Sequence, residues 1–200
     1  MMQTATHDMF GGDWGELDLG PGAGAGRPGQ VIRLHPTTGA RHMDWLTWGL
    51  IPPAAADDPG APHPIHARAE TLAGLPMFAG AFRERRAIVP ATAYFQRGSV
   101  GTGGGRYAIM RKDGQPLAIA GLWEAFAGPD GKIIRTYCII TVAAAGVVAE
   151  IHDRMPLVLE ETDWALWLGE IPGDPATLMH PPSGDTLAVR PMPTEKPVRS

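Results

Sequence analysis

Cysteine is almost missing from this chain: Cys138 stands alone, so no internal disulfide can form and no paired-cysteine metal motif is available. Because Cys138 sits in the alternating run Tyr137 to Ile140, it reads as a buried small hydrophobe rather than a nucleophile. An HExxH motif is also lacking, and Pro64 between His63 and His66 breaks any helix that would align those imidazoles with His152 elsewhere, so no metal is expected. Serine is confined to Ser99, Ser183 and Ser200, in Gly-rich, Pro-rich or terminal settings that do not suit a serine-hydrolase triad. The run Gly20 to Gly26 has no Lys-Ser/Thr opening a helix and no preceding strand, which excludes a Walker loop and a dinucleotide fingerprint; no cofactor is expected. Long apolar runs are absent too. The longest, such as Tyr137 to Val142, are strand-sized against the roughly 20 residues of a membrane-spanning helix. With neither a basic n-region nor an apolar h-region at its start, the chain is expected in a reducing cytoplasm, away from membranes.

What is present suits one strand-rich domain over residues 1–200. Hydrophobic content of 44% supplies a sizeable core, and Gly 26 with Pro 20 favours many short elements joined by turns. A net charge of −4 argues against coating nucleic acid through bulk positive potential. Lysine is limited to Lys112, Lys132 and Lys196, so the cations are mostly arginine, whose planar fork suits phosphate.

Periodicity and turn residues predict strands at Val31 to Leu34, Trp45 to Trp48, Ile88 to Phe95, Tyr107 to Met110, Leu117 to Trp123, Arg135 to Val142 and Leu187 to Met192. Asp113-Gly114 reads as a hairpin turn, and Pro129-Asp130-Gly131 joins an antiparallel pair. Helices are predicted at Met77 to Arg86, with a basic end, over Ala143 to Glu150, after Thr162 as a cap, and after Asp174-Pro175. Residues 11–29 and 98–106 read as flexible Gly-rich loops, and the proline-rich stretch from Pro52 to Pro64 as irregular.

Four segments in order carry a resemblance: Trp48-Gly49-Leu50-Ile51-Pro52, Ala67-Arg68-Ala69-Glu70-Thr71, Arg86-Ala87-Ile88-Val89-Pro90-Ala91 and Ile151-His152-Asp153-Arg154-Met155-Pro156. With Ala120 to Glu124 and Ile139-Ile140-Thr141 between them, the chain resembles the SRAP (SOS response-associated peptidase) family, most clearly over residues 30–168. The resemblance implies an α+β fold with a mixed, mainly antiparallel β-sheet, partly closed and barrel-like, with short flanking helices. It also implies a groove for single-stranded DNA and a role in sensing abasic sites in the SOS response to DNA damage. In that family an N-terminal cysteine closes a thiazolidine ring on the sugar aldehyde, supported by an asparagine, a glutamate and a histidine.

Carried over position by position, the family chemistry is mostly unmatched. Met2 stands where the cysteine is needed, His66 where the asparagine is, and Gln96 where the glutamate is; His152 alone is retained as a catalytic residue. Binding residues implied by the resemblance remain: Arg68 and Arg154 toward phosphate, and a base-stacking wedge of Trp48 with the Leu50 to Pro53 loop, including Pro52. The expectation is a non-crosslinking binder of single-stranded or abasic DNA. Two alternatives stay open: a residual lyase or hydrolase using the Met1 amine, His66 and His152, and a module for a protein or small ligand, favoured if Arg68 is buried against Glu70. Internal ion pairing of Arg68 and Arg154 with Glu70, Asp153 or Glu124, and core positions for Trp123, Trp164 and Trp167, are the structural readings of the same residues.

Overall fold

The structure, a computed structural model, describes residues 14–19, 24–56, 58, 60–99 and 104–193. Its first long strands follow the alternating apolar pattern and extend beyond it: β2 (Pro28–Leu34) and β3 (Arg41–Trp48) form a hairpin over the turn at residues 36–39, where Gly39 takes a left-handed φ of 67°. β5 (Arg86–Ala91), β8 (Leu117–Ala127) and β9 (Ile133–Ala143) complete a cycle. β9 pairs in parallel with β3, β3 with β2, β2 with β5, β5 with β8, and β8 back with β9, so five strands close into a barrel. Closure leaves no edge among these strands, and Leu117–Leu122 is buried on both faces without polar alternation.

A second sheet of four strands runs β1 (Leu17–Asp18), β6 (Tyr94–Arg97), β7 (Arg106–Arg111) and β11 (Leu187–Pro191), with β1 parallel to β6 and the rest antiparallel. The helices are short: α1 (Pro76–Glu84), α2 (Gly146–Ala149) and α3 (Trp164–Leu168). None among the described residues is long and apolar enough to cross a membrane. The architecture is thus α+β, mixed and partly barrel-like. Trp164, Trp167 and Cys138 are buried; Trp123 is half-buried beneath the Arg33 guanidinium, 4.4 Å from its ring.

Several expectations need correction. The Asp113-Gly114 turn exists, but it joins no hairpin: β7 and β8 belong to different sheets, because β8 is claimed on both edges by β5 and β9. Arg86 leaves the helix and opens β5. Its guanidinium nevertheless reaches back to the carbonyls of Phe82 and Arg83, both at 2.7 Å, satisfying the end of α1 as a basic terminus would. Ala143 belongs to β9, and only Gly146–Ala149 of the alanine-rich stretch is helical. Thr162 makes no cap; a 3-10 turn at Glu161–Asp163 leads into α3, whereas Asp174 does cap its turn, accepting from Ala176 N–H at 2.9 Å. Within the spans read as Gly-rich loops, Leu17–Asp18 is a strand, β2 begins at Pro28 and β7 at Arg106, each held by ladder partners that no local pattern announces. The remaining glycines at 20–23 and 101–103 lie outside the described residues.

β9 positions the site. It runs past the barrel seam, and its C-terminal end carries β4 (His66–Arg68) in parallel on one edge and β10 (Arg154–Pro156) antiparallel on the other. Thr141 is opposite Arg68 on one side and Pro156 on the other.

Candidate functional site

Because β4 and β10 flank the same stretch of β9, residues more than eighty positions apart meet there. Arg154 reaches across the end of β9: Nη2 donates to the Thr141 carbonyl at 2.6 Å and to Thr141 Oγ1 at 3.1 Å. The same guanidinium grips Glu70 in bidentate fashion, Nη1 to Oε1 at 2.6 Å and Nη2 to Oε2 at 3.0 Å. Those hydrogen bonds hold the Glu70 carboxyl below its usual range. Arg154 is therefore a tie between β10 and the segment after β4, with its charge largely answered.

Arg68, by contrast, is exposed and makes no ion pair or side-chain hydrogen bond among the described residues. The burial against Glu70 that would have favoured an interaction module is absent; Arg154 occupies that carboxylate instead.

A cleft of about 680 Å³ opens where the end of β9 faces β6. His66, Arg68, Gln96, His152 and Arg154 all line it, so five of the site residues expected from the resemblance come together. Met1 and Met2 lie outside the described residues. Gln96 is 8% exposed, and its Nε2 donates to the Arg154 carbonyl at 3.1 Å. Burial holds the His66 ring to a pKa of about 4, so the imidazole is uncharged at neutral pH. His152 Nδ1 lies 2.9 Å from the Arg154 backbone nitrogen, which donates to it, and 3.2 Å from the Arg154 carbonyl oxygen. Asp153 Oδ1 is 3.0 Å from the same Nδ1, an attraction only when the ring is protonated, and Asp153 is too exposed for that pair to dominate.

Two expected contact residues are not on this surface. Trp48 is 3% exposed: it stacks on Tyr137 with centroids 6.0 Å apart and planes 9° from parallel, and its Nε1 donates to the Ile65 carbonyl at 3.0 Å. Gly24, with φ of 79°, packs so tightly on this ring that any Cβ would collide with it. Pro52 and Leu50 are buried as well, whereas Ile51 is half-buried and Pro53 exposed, so most of the expected wedge is core and Pro53 at the end of its loop is at the surface. The exposed ring is Trp45, at 62%, beside a second cleft of about 510 Å³. The spacing held the signal, since residues three apart on a strand point to opposite faces and an inward Trp48 requires an outward Trp45. Arg97 and Thr141 also line the main cleft, and nothing local in the sequence marks them. Among the described residues no group of three or more His, Cys, Asp or Glu side chains is arranged to hold a metal ion.

Comparison with known proteins gives a consistent picture. A family model described as SOS response associated peptidase (SRAP) matches residues 24–196. The abasic site processing protein YobE of Bacillus subtilis is 35% identical over 131 residues, which is 65% of this chain and 60% of that protein. The abasic site processing protein YedK of Escherichia coli is 31% identical over 164 residues, 82% of this chain and 69% of that one. This chain thus spans less than two thirds of YobE. A crystal structure of a protein from Bacteroides thetaiotaomicron has the same fold, with a TM-score of 0.76 at 23% identity over 85% of this chain and 75% of that one.

Proposed function

The chain belongs to the SOS response associated peptidase (SRAP) family, and we propose that it binds abasic or otherwise damaged single-stranded DNA without forming a permanent crosslink to it. The observation that carries this reading is the composition of the cleft: binding cations and His152 stand at family positions, while His66 and Gln96 stand where the asparagine and glutamate belong. Relatives named for abasic site processing support the ligand class.

The chemistry of the replacements argues for binding alone. Gln96 cannot carry a proton to or from a reacting group, and loss of such assistance costs about 10² to 10⁴ in rate. The single thiol, Cys138, is fully buried, and burial pushes its pKa up, so it stays protonated and out of reach. Among the described residues Arg68 and Arg97 are the cleft arginines without an ion pair and can meet backbone phosphates, with Arg154 shaping the cleft beside them; Trp48 and Pro52 drop out of the binding surface.

Incubation of the 200-residue protein with an oligonucleotide carrying one abasic site checks this on paired gels. A shift on the native gel that disappears on the denaturing gel is expected. A heat-stable shifted band would show that a covalent bond forms and would refute the reading.

A further inference from the structure

Trp45 is the most exposed large apolar side chain among the described residues, at 62%, and Met43 stands on the same outward face of β3. Its indole borders the second cleft, and that cleft has a defined floor. Tyr137 reaches it from β9, and Gly29 makes the room: its φ is not left-handed, so the backbone does not require glycine there, yet a Cβ would collide with the Tyr137 hydroxyl. Burial pushes the phenol pKa up and keeps it neutral, and the hydroxyl has no hydrogen-bond partner among the described residues. A neutral hydroxyl both donates and accepts, so it can serve a ring nitrogen, a carbonyl or an exocyclic amine. An open aromatic face beside such a group suits a nucleobase of any identity.

Two observations join this cleft to the first. β1 runs between them, with Leu17 and Asp18 lining the second and the adjacent Leu19 lining the first. The Trp48 ring, on the wall of the second, meets the His66 ring of the first edge-on, with centroids 6.3 Å apart. A base next to an abasic site has lost its stacking neighbour on one side, so it turns out of the strand at smaller cost than a base within a continuous stack. Arg68 and Arg97 are the cleft arginines without an ion pair, and their two phosphate contacts weaken as salt rises; stacking on an aromatic ring does not depend on that charge.

Resting on the reading that the first cleft takes damaged single-stranded DNA, we propose that the second cleft takes the unstacked base of a nucleotide flanking the lesion, held against the Trp45 indole with the Tyr137 hydroxyl serving its edge. Trp45, to which the resemblance assigned no role, is then the aromatic contact in place of the buried Trp48.

Competition at pH 7 between two short strands of equal length and charge tests this. Both carry one central abasic site; in one every flanking nucleotide keeps its base, and in the other every flanking nucleotide is a tetrahydrofuran residue. Wild-type protein should bind the base-bearing strand about 5- to 100-fold tighter. Trp45→Ala should reduce that strand to the affinity of the baseless one while leaving baseless binding, the salt slope and the melting midpoint unchanged, and Trp45→Phe should keep most of the preference. Undiminished affinity of Trp45→Ala for the base-bearing strand would overturn this inference and leave the function reading in place. An equal loss on both strands would do the same, because the ring would then act through the fold or the backbone contacts. If wild-type protein bound neither strand, the function reading and this inference would both fall.

Discussion

His66 shows how one side chain couples the site to stability. In the folded protein its ring stays uncharged down to about pH 4, whereas in the unfolded chain it protonates near 6.5. Above pH 6.5 both states hold a neutral ring and stability does not depend on it. Between 6.5 and about 4 the unfolded chain takes up a proton that the folded chain refuses, so stability falls as pH falls; below about 4 the loss is complete. At about 1.4 kcal/mol per pKa unit the full loss is a little over about 3 kcal/mol. Urea unfolding at pH 7 and pH 4.5 should therefore show a steeper loss for the wild type than for His66→Asn, by about 2 to 3 kcal/mol. Parallel losses in the two proteins would mean that the ring is not buried as described.

Among the elements, β8 is tightly constrained, paired along one edge with β5 and along the other with β9. Gly121 pairs with Ala87 of β5 and Ile139 of β9, and a Cβ there would lie 3.0 Å from the Cys138 carbonyl and 3.2 Å from a Val89 methyl. One of the two is backbone of a closed sheet, which cannot retreat without breaking its ladder. Gly121→Ala should therefore cost about 1 to 3 kcal/mol, in the range of overpacked cores. Gly74, which has open space where its Cβ would be, is the control, and its replacement by Ala should shift stability by less than about 0.5 kcal/mol. Denaturant midpoints of the two variants decide it; equal midpoints would mean that the barrel yields at β8.

For the whole molecule, charge limits how the proposed DNA ligand can be held. The net charge is −4, and of the cleft arginines Arg154 is bound to Glu70 while Arg68 and Arg97 make no ion pair among the described residues. Two neutralised phosphates on a single strand predict a shallow salt dependence, a log–log slope of about −1.4. Arg68→Ala should bring the slope to about −0.7; a wild-type slope several-fold steeper would require a basic path outside this cleft. Composition, turn residues and strand periodicity were enough to predict a strand-rich domain, most strands of the barrel and the buried Cys138, and the motifs added the family resemblance and with it the α+β class, because those signals are local. The resemblance carried by the sequence also led to the expectation that His66 and Gln96 depart from the family chemistry. Only the tertiary structure decided that β4 and β10 dock on opposite edges of β9, that Arg154 rather than Arg68 takes Glu70, and that Trp48 faces inward while Trp45 faces out. Those outcomes depend on strand register and barrel closure, which join residues dozens of positions apart through ladder geometry that no local window contains.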